Sequence, residues 1–166
     1  MQFPLHPETP SGGIALSELF AGRGFDLNAM HSRMKSLMDA EGLPYARRER
    51  TYNSRLAQEL GKWGELAGRP AIHDALYRAY FVDGTDIGSV DALVGVAEGV
   101  NLPANEARRI LNERTFRTAV DRDWAHARAL GVTGVPTFVA GGRAVVGAQP
   151  YETLEELVQL AGAKRR

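Results

Sequence analysis

The sequence predicts an α/β fold in which a large all-helical insertion interrupts a small sheet-bearing domain. Three observations predict it. Residues 26–130 read as successive amphipathic helices, with apolar positions recurring at helical spacing. At Thr137 the pattern switches to a β-type run, a Gly141-Gly142 turn and a second β-type run. A proline-led amphipathic helix then closes the chain.

The elements follow in order. Met1–His6 alternates loosely around Phe3 and Leu5 and is interrupted by Pro4 and Pro7. It reads as a short strand of the kind prolines confine to a sheet edge or strand end. Glu8–Gly13 is turn chemistry. From Asp26 to Ala40, Leu27, Met30, Met34, Leu37 and Met38 share one helical face, and Gly42 and Pro44 mark its end. The three methionines are expected to pack in the core, although a methionine face can also serve as an adaptable binding surface.

A second helix is expected over Asn53–Leu66, with Asn53 or Thr51 near its cap. A third is expected over Ala71–Phe81, where Ile72, Ala75, Leu76, Ala79 and Tyr80 form the apolar stripe. The turn-rich DGTDIGS leaves Ser89 to cap a helix carrying Val90, Leu93, Val94 and Ala97. Pro103 suits the first turn of the next helix, which runs through Leu111. Phe116, Val120, Trp124 and Ala127 form a stripe on a longer helix ending near Gly131. Strands are expected over Thr137–Ala140 and Arg143–Val146. Pro150 opens the last helix, with Leu154, Leu157, Val158 and Ala161 on one side, and the tail AKRR should be solvated.

Composition narrows the function classes. With 166 residues the chain makes one domain, or one with a sizeable insertion. Its 44% hydrophobic and 24% charged residues suit a folded core. The formal net charge is zero, so no long-range field draws nucleic acid or an anionic membrane. No apolar run is long enough to span a bilayer, and the N-terminus lacks a charged-then-apolar leader layout, so a cytoplasmic location is expected. The sequence contains no cysteine. A disulfide framework, a CxxC redox pair and a thiolate zinc site are thereby excluded within this chain.

Other chemistry is sparse. None of Ser11, Ser17, Ser32, Ser36, Ser54 and Ser89 lies in a nucleophile-elbow pattern. His6, His31, His73 and His126 show neither HExxH nor close paired spacing, so no metal site is expected. Asp121 and Asp123 read as a solvated helix face. Arg47, Arg48 and Arg50 read as a solvated loop, of more interest if Arg55 or Arg69 converged on it.

The informative stretch is GVTGVPTFVAGGRAVVGAQPYETLEELV, Gly131–Val158. It resembles the C-terminal half of the DsbA-like thioredoxin family, particularly its cytoplasmic FrnE-like branch. FPLHPETP resembles that family's second core strand and the loop after it. TYNSRLAQELGKW and HDALYRAYFVDGTDIGS resemble helices of its inserted helical domain. The similarity therefore covers nearly the whole chain.

The resemblance implies a thioredoxin-like fold with residues 1–25 and 131–166 in an incomplete thioredoxin-like domain and 26–130 as the helical insertion. It implies a cis bond between Val135 and Pro136, followed by Thr137. Such a turn leaves the preceding main chain open to an extended thiol- or disulfide-bearing peptide, or to glutathione, in the manner of β-strand addition. Val135, Pro136 and Thr137 are the implied substrate-binding residues, with His6 near them by sequence position. The family begins with a strand and a CxxC motif at a helix N-terminus, and neither is present here. The first core strand, expected between Gln2–His6 and Thr137–Ala140, is thus missing. Its place could be closed by the flanking strands, filled by a second copy in a homodimer, or occupied in a longer gene product.

The expected function is that of a DsbA-like protein-disulfide oxidoreductase family member that is redox-inactive alone, with no catalytic residue of its own. Glutathione is the one small ligand the resemblance suggests. Two alternatives stay open. One is a glutathione-binding enzyme like the kappa-class transferases and 2-hydroxychromene-2-carboxylate isomerases. The other is a non-catalytic binding or assembly module.

Overall fold

The computed structural model describes residues 1–164, which form two compact units. One comprises Met1–Leu5 and the chain from Arg122 onward, and the other comprises His6–Asp121. Arg165 and Arg166, part of the expected solvated tail, lie outside the described residues.

The His6–Asp121 unit is mainly helical. It contains β1 (Ile14–Ala15), α1 (Leu16–Leu19), α2 (Leu27–Ala40), β2 (Arg50–Thr51), α3 (Arg55–Leu66), α4 (Ile72–Phe81), α5 (Val90–Gly99) and α6 (Ala104–Asn112). Its core is built from α3 to α6, where Leu60, Ile72 and Leu93 are 0% exposed. Burying each such side chain stabilises by about 1.5–3 kcal/mol. Gly64 lets α3 and α4 approach, because a Cβ there would stand 2.5 Å from Ile72 Cγ2.

Local chemistry explains several helix ends. Asp26 accepts hydrogen bonds from the Asn28 and Ala29 amides, and Ser89 accepts one from Ala92. At α3 the cap residue is Ser54, whose side chain makes no capping bond, and Asn53 Oδ1 instead accepts from the Arg55 amide at 3.0 Å. α6 ends with Arg114 in the left-handed region at φ 56°, its amide bonded to the Leu111 carbonyl and that of Thr115 to Ile110. This is the hydrogen-bond pattern for which glycine is the usual occupant.

The α7 helix (Arg117–Ala129) starts in the helical unit and continues into the other. Gly131, at φ +70°, ends it, as the sequence led us to expect. The smaller unit then holds β3 (Thr137–Ala140), β4 (Arg143–Val146) and α8 (Tyr151–Leu160). β3 and β4 pair antiparallel in the register Thr137–Val146 to Ala140–Arg143. Both turn glycines have positive φ, 55° at Gly141 and 75° at Gly142, as a two-residue hairpin of this twist requires.

Three expectations are corrected. Met1–His6 forms no strand: the Leu5 amide turns back to the Phe3 carbonyl, and His6 sits at φ 53°. Pro4 removes a ladder donor, Pro7 follows at once, and no strand among the described residues pairs with the segment to hold it extended. The flanking segments also do not close up, since β3 pairs only with β4 among the described residues. The methionine face of α2 is not in the core, because no residue of that helix is buried.

The basic loop is also more structured than its composition suggests. Arg50 pairs in the short β1–β2 ladder and donates to the Gly12 and Gly13 carbonyls at 3.1 Å. Arg48 lies 4.2 Å from the Tyr80 ring centroid and 4.9 Å from that of Phe81. Arg47 pairs with Glu49. Arg55 turns instead to Glu59 and Asp121, and Arg69 to the Gly68 carbonyl at 3.5 Å, so neither joins these cations.

Candidate functional site

The main-chain edge that begins at Val135 follows from the hairpin turn. A two-residue turn makes Ala140 and Arg143 a hydrogen-bonded pair, and strict alternation makes Phe138 and Val145 the next. The Gly147 amide donates to the Pro136 carbonyl at 2.8 Å, which continues the alternation. Thr137 and Val139 therefore turn their N–H and C=O groups away from β4. No other strand pairs with that edge among the described residues.

Val135 extends the open edge. The Val135–Pro136 peptide bond is cis, and the Val135 main chain makes no hydrogen bond among the described residues. The residue is 48% exposed. Thr137 stiffens the turn, donating through Oγ1 to the Gly134 carbonyl at 2.7 Å. The opposite side of the hairpin is partly closed, because Gln149 Nε2 donates to the Val146 carbonyl at 2.8 Å. The open side carries apolar side chains, with Phe138 at 39% and Val139 at 43% exposure. It carries no charge of the kind that usually blocks an edge strand.

The sequence-derived residues divide between the two units. Val135, Pro136 and Thr137 share the smaller unit, and His6 opens the other. His6 makes local contacts: Nδ1 lies 3.2 Å from Glu8 Oε1, and the ring meets Phe20 edge-on at 6.4 Å. A backbone hydrogen bond at Glu8, together with the His6 ring, holds the Glu8 carboxyl below the usual carboxylate range. Val139 belongs to the open edge but escaped sequence reading. The Gly141-Gly142 turn was the available signal, because its length fixes which strand residues face outward.

The aspartates of α7 form no acid–base pair. Asp121 accepts from Arg55 at 2.6 Å, while Asp123 accepts the Gln2 amide at 2.7 Å and ties the N-terminal segment to the helix. Among the described residues, no group of three or more His, Cys, Asp or Glu could hold a metal ion. No helix among them is long and apolar enough to cross a membrane.

Comparison with known proteins gives the family and the fold. The family model for the DSBA-like thioredoxin domain matches residues 1–159. A probable DsbA oxidoreductase from Streptomyces coelicolor superposes with a TM-score of 0.78 at 32% identity, covering 91% of this chain and 68% of that one. A candidate protein disulfide isomerase from Nitrosomonas europaea shares the fold, with a TM-score of 0.59 at 15% identity over 78% of this chain and 70% of its own. The uncharacterized protein YwbO of Bacillus subtilis is 29% identical over 84 residues, which is 50% of this chain and 42% of that relative. The match thus spans less than half the length of that curated relative.

Proposed function

We propose, from the fact that this chain belongs to the DSBA-like thioredoxin family, that it is the substrate-positioning part of a thiol–disulfide oxidoreductase. The observation that carries this reading is the unpaired main chain of Val135, half exposed at the head of an open strand edge. An N–H and a C=O in that state can pair with an extended peptide without reading its sequence. Thr137 is the supporting residue, since its hydroxyl pins the loop.

Thiol–disulfide exchange needs a thiolate nucleophile, and the sequence has no cysteine. The chain alone is therefore proposed to be redox-inactive. An insulin-reduction assay should give no rate above the uncatalysed reaction. A fusion carrying a strand–CxxC–helix unit ahead of Met1 should gain one. Addition of a disulfide-bearing peptide should shift the Val135 amide resonance of the unfused chain. Shifts confined to residues far from 135–139 would sink the proposal. Tighter binding of glutathione than of peptide would move the reading to the glutathione-binding transferases and isomerases.

The open edge supports one further part of the reading. Thr137 and Val139 could receive a strand from a second copy, giving a homodimer. Sedimentation should then show a concentration-dependent dimer that a Val139→Lys substitution weakens. A strict monomer at all concentrations would remove this part alone.

A further inference from the structure

Three of the four methionines in the sequence, Met30, Met34 and Met38, stand at four-residue spacing along α2. Four residues is about one helical turn, so they form a line on one face. No residue of the helix is buried, and Met30 and Met34 are 42% and 44% exposed. Their thioethers therefore meet solvent.

His31 adds an imidazole to the same face. It stands three residues before Met34, and Met30 stands four before Met34, so both border Met34 on the helix surface, within about 100° of arc. Its Nδ1 is engaged by the Tyr45 hydroxyl at 2.8 Å. Its Nε2 has no partner among the described residues. A hydrogen bond at one ring nitrogen fixes the ring and leaves the other nitrogen to serve as a ligand. Lys35 pairs with Asp39, both off this arc, and the exposed Arg33 flanks it on the other side. His6 and His73 pair with Glu8 and Glu65.

Thioethers are soft, uncharged ligands that favour soft cations over magnesium or calcium. With no cysteine in the chain, no thiolate competes for such an ion. We propose that Met30, His31 and Met34 form a binding site for a soft monovalent metal ion, Cu(I) or Ag(I), with Met38 as an adjoining thioether. The site uses two sulfurs and one nitrogen, a donor set suited to three-coordinate monovalent copper. It is independent of the open edge at Val135.

The full chain is titrated without oxygen against Cu(I) held by the chelator bicinchoninate. One equivalent should pass to the protein. A Met30→Leu/Met34→Leu variant keeps helix propensity and side-chain volume. It should bind at least tenfold more weakly while giving the same circular dichroism. With Ag(I), the methionine methyl resonances of Met30 and Met34 should shift and that of Met1 should not. Equal copper uptake by the wild type and the double variant, no uptake by either, or parallel shifts at Met1 would each overturn the assignment. If the double variant loses helix content, the methyl shifts of the wild-type chain decide the question alone.

Discussion

Arg114 donates through Nε and Nη2 to both carboxylate oxygens of Glu59, at 3.0 and 2.7 Å. Glu59 is 0% exposed, and Arg55 donates to it as well at 2.9 Å. The bond to Glu59 raises the Arg114 guanidinium above its ordinary value, so the fork stays charged. The same residue holds the left-handed position that ends α6. One side chain thus fixes a helix terminus and neutralises a buried carboxylate on α3.

Removing that partner should be costly. Arg114→Ala leaves a buried charge half-compensated and should destabilise by about 3 kcal/mol. Arg114→Gly loses the same ion pair but relieves the left-handed backbone, so it should be about 1 kcal/mol less damaging than alanine. Urea denaturation of the two variants checks the order. Equal stabilities would mean that the backbone conformation costs nothing here.

Acid should weaken the Arg55–Asp121 contact. The Arg55 hydrogen bond, reinforced by the charges of Arg55, Arg117 and Arg114, holds the Asp121 carboxyl below its ordinary value of 3.8. A carboxyl depressed on folding contributes stability above its unfolded value and loses it as pH falls through the folded one. The stability of the wild type should therefore fall toward that of Asp121→Asn below about pH 4. At neutral pH the wild type should be the more stable, by an amount that salt reduces. A constant difference from pH 7 to pH 2 would count against the contact.

Gly13 should not tolerate a side chain. Its φ is +77°, and a Cβ would collide with the Thr51 carbonyl oxygen and come within 2.6 Å of the Tyr52 ring. The left-handed conformation alone costs alanine about 1–2 kcal/mol. Thermal melting of Gly13→Ala should show a loss at least that large. Gly12→Ala is the control: it has the same sign of φ but nothing within 4 Å. It should lose only the conformational part.

The helix contact at Gly64 gives a second packing test. Gly64→Ala would normally favour a helix by about 1 kcal/mol. Here the added methyl meets Ile72 at 2.5 Å, inside a core where Ile72 is 0% exposed. Overpacking of this kind costs about 1–3 kcal/mol. A net loss is expected in Gly64→Ala, and a less-than-additive loss in Gly64→Ala/Ile72→Ala, which removes the clashing Cγ2, would locate the strain at this contact.

How far the sequence could be read depended on the range of the interactions involved. The strands Thr137–Ala140 and Arg143–Val146 were legible because a two-residue turn and alternating side chains are local facts. The end of α7 at Gly131 and the cap at Ser89 were legible for the same reason. The β1–β2 ladder was not, because Ile14 meets Thr51 across a long separation and each strand has only two residues. Nor was the burial of Glu59, since an Arg55–Glu59 pair at i, i+4 spacing ordinarily marks a solvated face.

By itself, the sequence determined the absence of a thiolate, the order of helices and hairpin, and the family to which the chain belongs. Those depend on residue identity and short-range periodicity. Only the tertiary structure decided that the segment before His6 is not a strand, that Met30 and Met34 of α2 are exposed, and that no second strand among the described residues pairs with the edge at Val135. Each of those depends on what lies opposite a residue, and neighbours distant along the chain supply that.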